Sequence, residues 1–276
     1  MLASGKFSVY KKYLEREPMI WHHIEKGHGR PLVLLHGIGM SGDAWQPVMD
    51  RLAVQRRVIA FDIPGFGGTP GLENVEPNSL AMVASLGESL RKMGIDEPVD
   101  IVGNSLGGRI ALDAAAEGLA RSIVCISPAG LWRETGPAHL EYLFTAMRKG
   151  YQMMPGVTEG LLRTRVGRTV IMAGAVAARG WKIPAKDAIH SARMFADSHH
   201  FEPIFNAFRP PFDQAHRIEV PCTVAFGDFD MVFPVGTRDK NRVPAHTHWL
   251  RLPRCGHVPM WDHPELVSHV IMQGTH

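Results

Sequence analysis

Cysteine is scarce in this chain of 276 residues: only Cys125, Cys222 and Cys255 occur, an odd number with no C-x-x-C pair. Nothing in that pattern suggests a disulfide framework, which fits a reducing compartment. Cys125 and Cys222 lie in or beside apolar runs and read as buried free thiols. No run of 18 apolar residues is present, so no membrane span is expected. The first seven residues lack a charged-then-apolar signal pattern, and a cytoplasmic location is the expectation. Neither sign of charge dominates: 30 Lys+Arg oppose 27 Asp+Glu, with no basic run of five, so nothing points to nucleic acid. None of the fifteen histidines stands in an H-E-x-x-H or comparable spacing, so neither a metal nor another cofactor is implied. His22 and His23 are adjacent in a strand-like run, where neighbours point to opposite faces and do not easily share an ion.

What is present is ordinary globular composition, 45% hydrophobic and 21% charged. The length allows one large α/β domain with an insertion, or two domains. Apolar runs at 31–35, 57–62, 98–102 and 220–226 read as buried strands, as does 121–130 together with its exit loop, with helix-forming stretches between most of them. Two further strands are expected at 7–14 and 19–25 as a hairpin, and a last one at 247–252. Residues 79–93 carry apolar positions at helical spacing, with Ser79 as N-cap and Gly94 as stop signal. Strand–helix alternation implies a parallel sheet covered on both faces. It lapses over 131–213, where helices are expected at 138–149, 157–165, 170–179 and 186–196. That stretch holds 11 Lys/Arg against 7 Asp/Glu, while the remainder holds 19 and 20. It also holds Met147, Met153, Met154, Met172 and Met194, which suit either a flexible apolar cover or helix-to-helix contacts. Arg163, Arg165 and Arg168 suggest a carboxylate site or, more simply, a solvated helix face.

The sharpest local signal is Gly103-Asn104-Ser105-Leu106-Gly107 between the strand ending at Val102 and the Ala-rich helix starting near Leu106. A strand that becomes a helix within a few residues bends where side chains would collide, and glycines flank that bend. Ser105 stands at the apex. This G-x-S-x-G turn in its strand–turn–helix setting resembles the nucleophile elbow of the α/β-hydrolase superfamily. His36-Gly37-Ile38 is similar to the loop that supplies half of that family's oxyanion hole. Asp62-Ile63-Pro64-Gly65-Phe66-Gly67 is similar to its D-x-P-G-x-G turn, with Asp62 read as a loop brace. Gly227-Asp228-Phe229-Asp230, with Pro234 following, is similar to its G-x-x-D-x-x-x-P stretch, and Gly256-His257 to its G-H.

The resemblance implies a mostly parallel, doubly wound α/β sheet of about eight strands, with a helical lid inserted after the sixth. The core would comprise 1–130 and 214–276, and the lid 131–213. It implies Ser105 as nucleophile, His257 as general base and Asp230, rather than its neighbour Asp228, as orienting acid. The backbone N–H groups of Ile38 and Leu106 would form the oxyanion hole, and Gly37, Asn104 and Val258 would meet substrate. Each residue type suits the chemistry: a hydroxyl needs a base, imidazole titrates near neutrality, and a carboxylate fixes its tautomer.

The expected activity is cleavage of a small apolar or amphipathic acyl compound, a carboxylic ester first, through a covalent acyl-enzyme. A serine at the elbow argues against haloalkane dehalogenase and epoxide hydrolase activities, which place aspartate there. One alternative is C–C hydrolysis of 2-hydroxy-6-oxo-dienoate ring-cleavage products, suggested by Asn104 before the serine and by the C-G-H at 255–257. Val258, where that branch has tryptophan, and a loop at 36–41 without its P-G pairing stand against it. Thioesterase or haloperoxidase-like activity uses the same three residues, and so does a small-molecule receptor of this fold with little turnover. Oligomeric state stays open.

Overall fold

A computed structural model describes residues 19–72, 77–173 and 176–275. Among these, seven strands form one sheet: β1 (His23–Lys26), β2 (Pro31–Leu35), β3 (Arg57–Phe61), β4 (Val99–Asn104), β5 (Ala120–Ile126), β6 (Cys222–Gly227) and β7 (His248–Leu252). Their order is β1-β3-β2-β4-β5-β6-β7. Only β1 runs antiparallel to its neighbour; the other pairs are parallel. The count of about eight includes the strand expected at 7–14, which lies outside the described residues.

The helices that return the chain are α1 (Gln46–Leu52), α2 (Ser79–Lys92) and α3 (Leu106–Ala116). Five more, α4 (Ala138–Met153), α5 (Pro155–Leu162), α6 (Arg165–Met172), α7 (Ala185–Asp197) and α8 (Phe201–Ala207), lie between β5 and β6. A last helix, α9 (Pro264–Gly274), closes the chain. Alternate strand residues face opposite sides of a sheet, and here both sides are buried. Val33, Leu35, Ile59, Phe61 and Ile101 pack with α2 and α3 on one face. Leu32, Leu34, Val58, Ala60 and Val102 pack with α1 and α9 on the other.

At the N-terminal edge of the strands, Asp100 is fully buried but paired with Arg56. Ser122 donates its hydroxyl to the same carboxylate at 2.6 Å, and Arg30 stands 3.2 Å away. Losing Asp100 would leave the buried Arg56 guanidinium without its carboxylate, at a cost of about 3–5 kcal/mol. The C-terminal edge, where ligands gather in open α/β sheets, carries Ser105.

Helix α2 begins where expected, but its cap is Asn78, whose side chain accepts the Ala81 N–H at 3.0 Å. Ser79 is already inside the first turn. In the insertion, the expected helices at 157–165 and 170–179 are displaced to α5 and α6. Pro155 opens α5, and Thr164 caps α6 by accepting the Gly167 N–H at 2.9 Å. The N–H groups of Val176 and Ala177 both close onto the Met172 carbonyl at 3.0 Å, and those of Ala178 and Arg179 serve Asp262, so the helix does not continue through 176–179. Helix α8 gave no periodic signal at seven residues; it is set by Phe201 and Phe205, which pack with Phe144 and Phe195 at ring separations of 5.2–5.9 Å.

Two glycines decide whether β4 and α3 can meet. A Cβ on Gly103 would stand 2.0 Å from the Gly107 carbonyl oxygen, and one on Gly107 would stand 2.2 Å from that of Leu35. Both obstacles are backbone, which does not swing aside. Gly150, in exposed α4, has nothing within 4 Å of such a Cβ. Gly107→Ala should therefore lower unfolding stability by about 3 kcal/mol or more. Gly150→Ala should raise it by up to about 1 kcal/mol. Urea unfolding of the two variants beside the parent measures both.

Candidate active site

One residue, Ser105, separates β4 from α3. Its backbone sits at φ 55° and ψ −112°, outside the regions an L-residue ordinarily occupies. Such strain costs on the order of 1–3 kcal/mol and persists only where the surroundings impose it. Here they do. The Ser105 N–H donates to the Ile126 carbonyl at 3.0 Å, and the Ser105 carbonyl accepts the N–H groups of Arg109 and Ala129, both at 3.0 Å. The Gly107 N–H donates to the His36 carbonyl at 3.0 Å, tying the start of α3 to the loop after β2.

Asp230 stands in the loop after β6, with its side chain fully buried. One oxygen accepts the N–H groups of Val232 at 3.1 Å and Phe233 at 3.0 Å. Both oxygens lie 3.0 Å from Nδ1 of His257. An ionised carboxylate only accepts, so Nδ1 carries the proton and Nε2 of the neutral ring is a free base. Burial alone would push the Asp230 carboxyl up. The charge and hydrogen bond of His257 and the Phe233 N–H outweigh it and hold the group below its ordinary 3.8. Asp228, its rival, is exposed and pairs with Arg251 at 2.9 Å.

Ser105 and His257 border the same cavity, but no hydrogen bond joins their side chains here. Asn104 fixes their spacing instead. Its amide donates to the carbonyl of His257 at 2.9 Å and to that of Ile126 at 3.1 Å. Gly37 lies against the same group: a Cβ there would be 3.4 Å from the Ser105 Cβ and 3.4 Å from Asn104 Oδ1. Neither the Ile38 nor the Leu106 N–H has a hydrogen-bond partner among the described residues, and both residues line a small cavity together with Ser105. Val258 is buried beside the main cavity, and its N–H donates to the Val176 carbonyl at 2.7 Å.

Two supporting residues were not singled out as such from sequence. His36, fully buried, bridges the loops after β2 and β3. It takes the Ile63 N–H on Nε2 at 2.9 Å and directs Nδ1 to the Gly37 carbonyl at 2.7 Å. Burial keeps this imidazole neutral by lowering its pKa. Asp262 accepts three N–H groups: Gly256 and Arg179 at 2.7 Å and Ala178 at 2.9 Å. It thereby joins the loop of His257 to the insertion. An acidic residue after the apolar pair Met260-Trp261 was the only signal for it. Asp62 is the brace expected, accepting the N–H groups of Gly42 at 2.6 Å and Gly68 at 2.8 Å.

The main cavity measures about 160 Å³. The core contributes Ile38, Ser105, His257 and Val258; the insertion contributes Phe144, Met147, Met172 and Phe195. No Lys, Arg, Asp or Glu side chain lines it among the described residues. Of the five methionines of the insertion, Met147 and Met172 face this space, while Met153 and Met154 are exposed. Arg168 is buried and ends α5 by donating to the Leu162 carbonyl at 2.8 Å, and neither Arg163 nor Arg165 reaches the cavity. No three His, Cys, Asp or Glu side chains among the described residues are grouped to hold a metal ion.

The lowered Asp230 carboxyl makes a pH prediction. The folded chain gives up this proton more readily than the unfolded chain, so the group's contribution to stability is complete above pH 3.8 and is lost as pH falls through the lower folded value. Asp230→Asn removes that dependence. Between about pH 5 and 3, its melting temperature should fall less than that of the parent, as calorimetry across that range would show.

Similarities to known proteins agree with this architecture. The family described as the alpha/beta hydrolase fold matches residues 30–264. A 2-hydroxy-6-oxo-6-(2'-aminophenyl)hexa-2,4-dienoic acid hydrolase of Metapseudomonas resinovorans is 29% identical over 265 residues, covering 88% of this chain and 83% of that protein. A pimeloyl-[acyl-carrier protein] methyl ester esterase of Aeromonas salmonicida is 27% identical over 261 residues, covering 89% and 95%. Among solved structures, naproxen esterase of Bacillus subtilis superposes with a TM-score of 0.71 at 19% identity, covering 99% of each chain. With a match that spans most of its length, on a sheet whose C-terminal edge presents Ser105, this chain belongs to the α/β-hydrolase fold family and is a hydrolase.

Proposed function

We propose that the chain is a serine hydrolase of carboxylic esters, with Ser105 as nucleophile, His257 as base and Asp230 as its orienting acid. The observation that carries this reading is the buried Asp230–His257 pair, 3.0 Å through both oxygens, beside a strained serine on an uncharged cavity. Filling the cavity with substrate excludes water and tightens the serine–imidazole approach, which is commonly long in empty sites. Nε2 of His257 takes the Ser105 proton as Oγ attacks the carbonyl carbon. The N–H groups of Ile38 and Leu106 receive the oxyanion, each worth about 3–4 kcal/mol in the transition state. The imidazolium, stabilised by Asp230, returns its proton to the departing alcohol. Water then removes the acyl group from Ser105 by the same route reversed. Helices α4 to α8 serve as a lid, since they supply the apolar wall facing the serine.

C–C hydrolysis of a dienoate is the second reading, favoured by the similarity to the Metapseudomonas hydrolase and by Asn104 before the serine. A dienoic acid carries a carboxylate, however; among the described residues the main cavity offers it no Lys or Arg, and Arg209 beside the small cavity is already paired with Glu141 at 2.8 Å. Burying that charge unpaired is costly. Short-to-medium p-nitrophenyl esters should turn over, while a 2-hydroxy-6-oxo-dienoate should not. Ester inertness with rapid dienoate cleavage would reverse the order of the two readings. Ser105→Ala should lower kcat on p-nitrophenyl esters by about 10⁵-fold or more and leave the melting temperature near that of the parent. Retained esterase activity in that variant would remove Ser105 from the role.

A further inference from the structure

Two cavities meet at Ser105, and they differ in what else they touch. The main one includes His257. The other, about 40 Å³, includes Ile38 and Leu106 but not His257. Phe233 stands at the division: its ring lies edge-on to the His257 ring at 4.9 Å and also lines the small cavity. Trp132, Leu140, Phe205 and Phe208 supply most of the rest of its wall, and Arg209, whose guanidinium is paired with Glu141 at 2.8 Å, also borders it. Phe144, Ile38 and Ser105 are common to both.

We infer that the two cavities divide an ester unequally, with a short acyl group in the small one and a large apolar alcohol in the main one. This rests on the reading of Ser105 and His257 as nucleophile and base. The tetrahedral carbon carries four substituents: Ser105 Oγ, the oxyanion, the acyl chain and the alcohol oxygen. The oxyanion goes to the two N–H groups. The alcohol oxygen must receive its proton from His257, so the alcohol lies in the cavity that His257 lines. The acyl chain is left with the other. Oγ–carbon bond formation and alcohol release are thus balanced by one proton passing from Ser105 through His257 to the alcohol. The deacylating water enters the space the alcohol vacates, loses its proton to His257, and that proton returns to Oγ as the acyl–Oγ bond breaks.

Size sets the limit. A water-sized group needs roughly 10–15 Å³ measured this way, so the small cavity admits an acyl chain of about three heavy atoms. The main cavity is about four times larger and lacks charged side chains among the described residues, which suits an apolar alcohol of several more carbons. That division is opposite to the one named for the Aeromonas relative, a methyl ester esterase with a long acyl group.

Heptyl acetate and methyl octanoate test it. They are isomers with equal numbers of carbons, so hydrophobicity is nearly matched and only the side of the ester bond changes. Heptyl acetate should show kcat/KM higher by about tenfold or more, since each methylene without room costs at least that range. Equal rates, or preference for methyl octanoate, would overturn the division. Turnover of neither would overturn it too, and a fluorophosphonate probe then separates the two layers. Labelling of the parent but not of Ser105→Ala keeps the serine reading and discards the division; no labelling of the parent discards both. Leu140→Ala enlarges the small cavity and should move the best p-nitrophenyl ester toward acyl chains about two carbons longer than the parent prefers, and an unmoved optimum would also count against the division.

Discussion

The whole site depends on how closely α3 approaches the sheet. Gly107 lies so near the Leu35 carbonyl that a single methyl would collide with it, and Gly103 lies equally near Gly107. That close approach turns β4 into α3 within one residue and leaves Ser105 at a positive φ. The turn leaves the N–H of Leu106, the first residue of α3, without a hydrogen-bond partner among the described residues, on the small cavity that Ser105 also lines. The neighbouring loop after β2, held by Gly107 N–H to His36 and by His36 to Ile63, puts Ile38 on the same cavity. Backbone strain is thereby exchanged for a fixed arrangement of groups around one point.

The second half of the site is attached to the first by side chains. Asn104 reaches from the strand before the serine to the His257 carbonyl, so Ser105 and His257 are positioned by adjacent residues of the same turn. Asp230 holds the imidazole from the opposite side and is itself held by two N–H groups. Asp262 extends the chain of contacts outward to Ala178 and Arg179, and Val258 to Val176. The loop of His257 and the insertion are tied together through these few bonds. The insertion therefore contributes more than a wall: its polypeptide between α6 and α7 is part of the framework under His257.

Much of this was legible in the sequence, for identifiable reasons. Parallel strands buried on both faces produce continuous apolar runs, so β2, β3, β5 and β6 stood out. Ser105, Asp230 and His257 lie at strand ends beside glycines that close packing demands, and such glycines leave a readable spacing. Asp230 was separable from Asp228 because Gly227 and Pro234 register on it, and the structure puts Asp228 at the surface with Arg251. The insertion was read less well. Its helix ends are set by Thr164, by Pro155 and by the capture of 178–179 by Asp262, a contact 83 and 84 residues away that local periodicity does not encode. The cap of α2 fell one residue from Ser79 because Asn78 competes for the same role. The two cavities at Ser105 were invisible in sequence, since Phe144 and Phe233, which both line the small one, come from distant segments.

In the proposed reaction a carbonyl carbon becomes bonded to Oγ of Ser105 while His257 carries the proton. Rapid acid quenching during turnover of p-nitrophenyl acetate, followed by mass spectrometry of the digested protein, reads this directly. One acetyl increment is expected, on the peptide carrying Ser105 and on no other, building up faster than steady-state turnover. An acetyl group found on a different residue, or turnover with no covalent intermediate at any quench time, would contradict it.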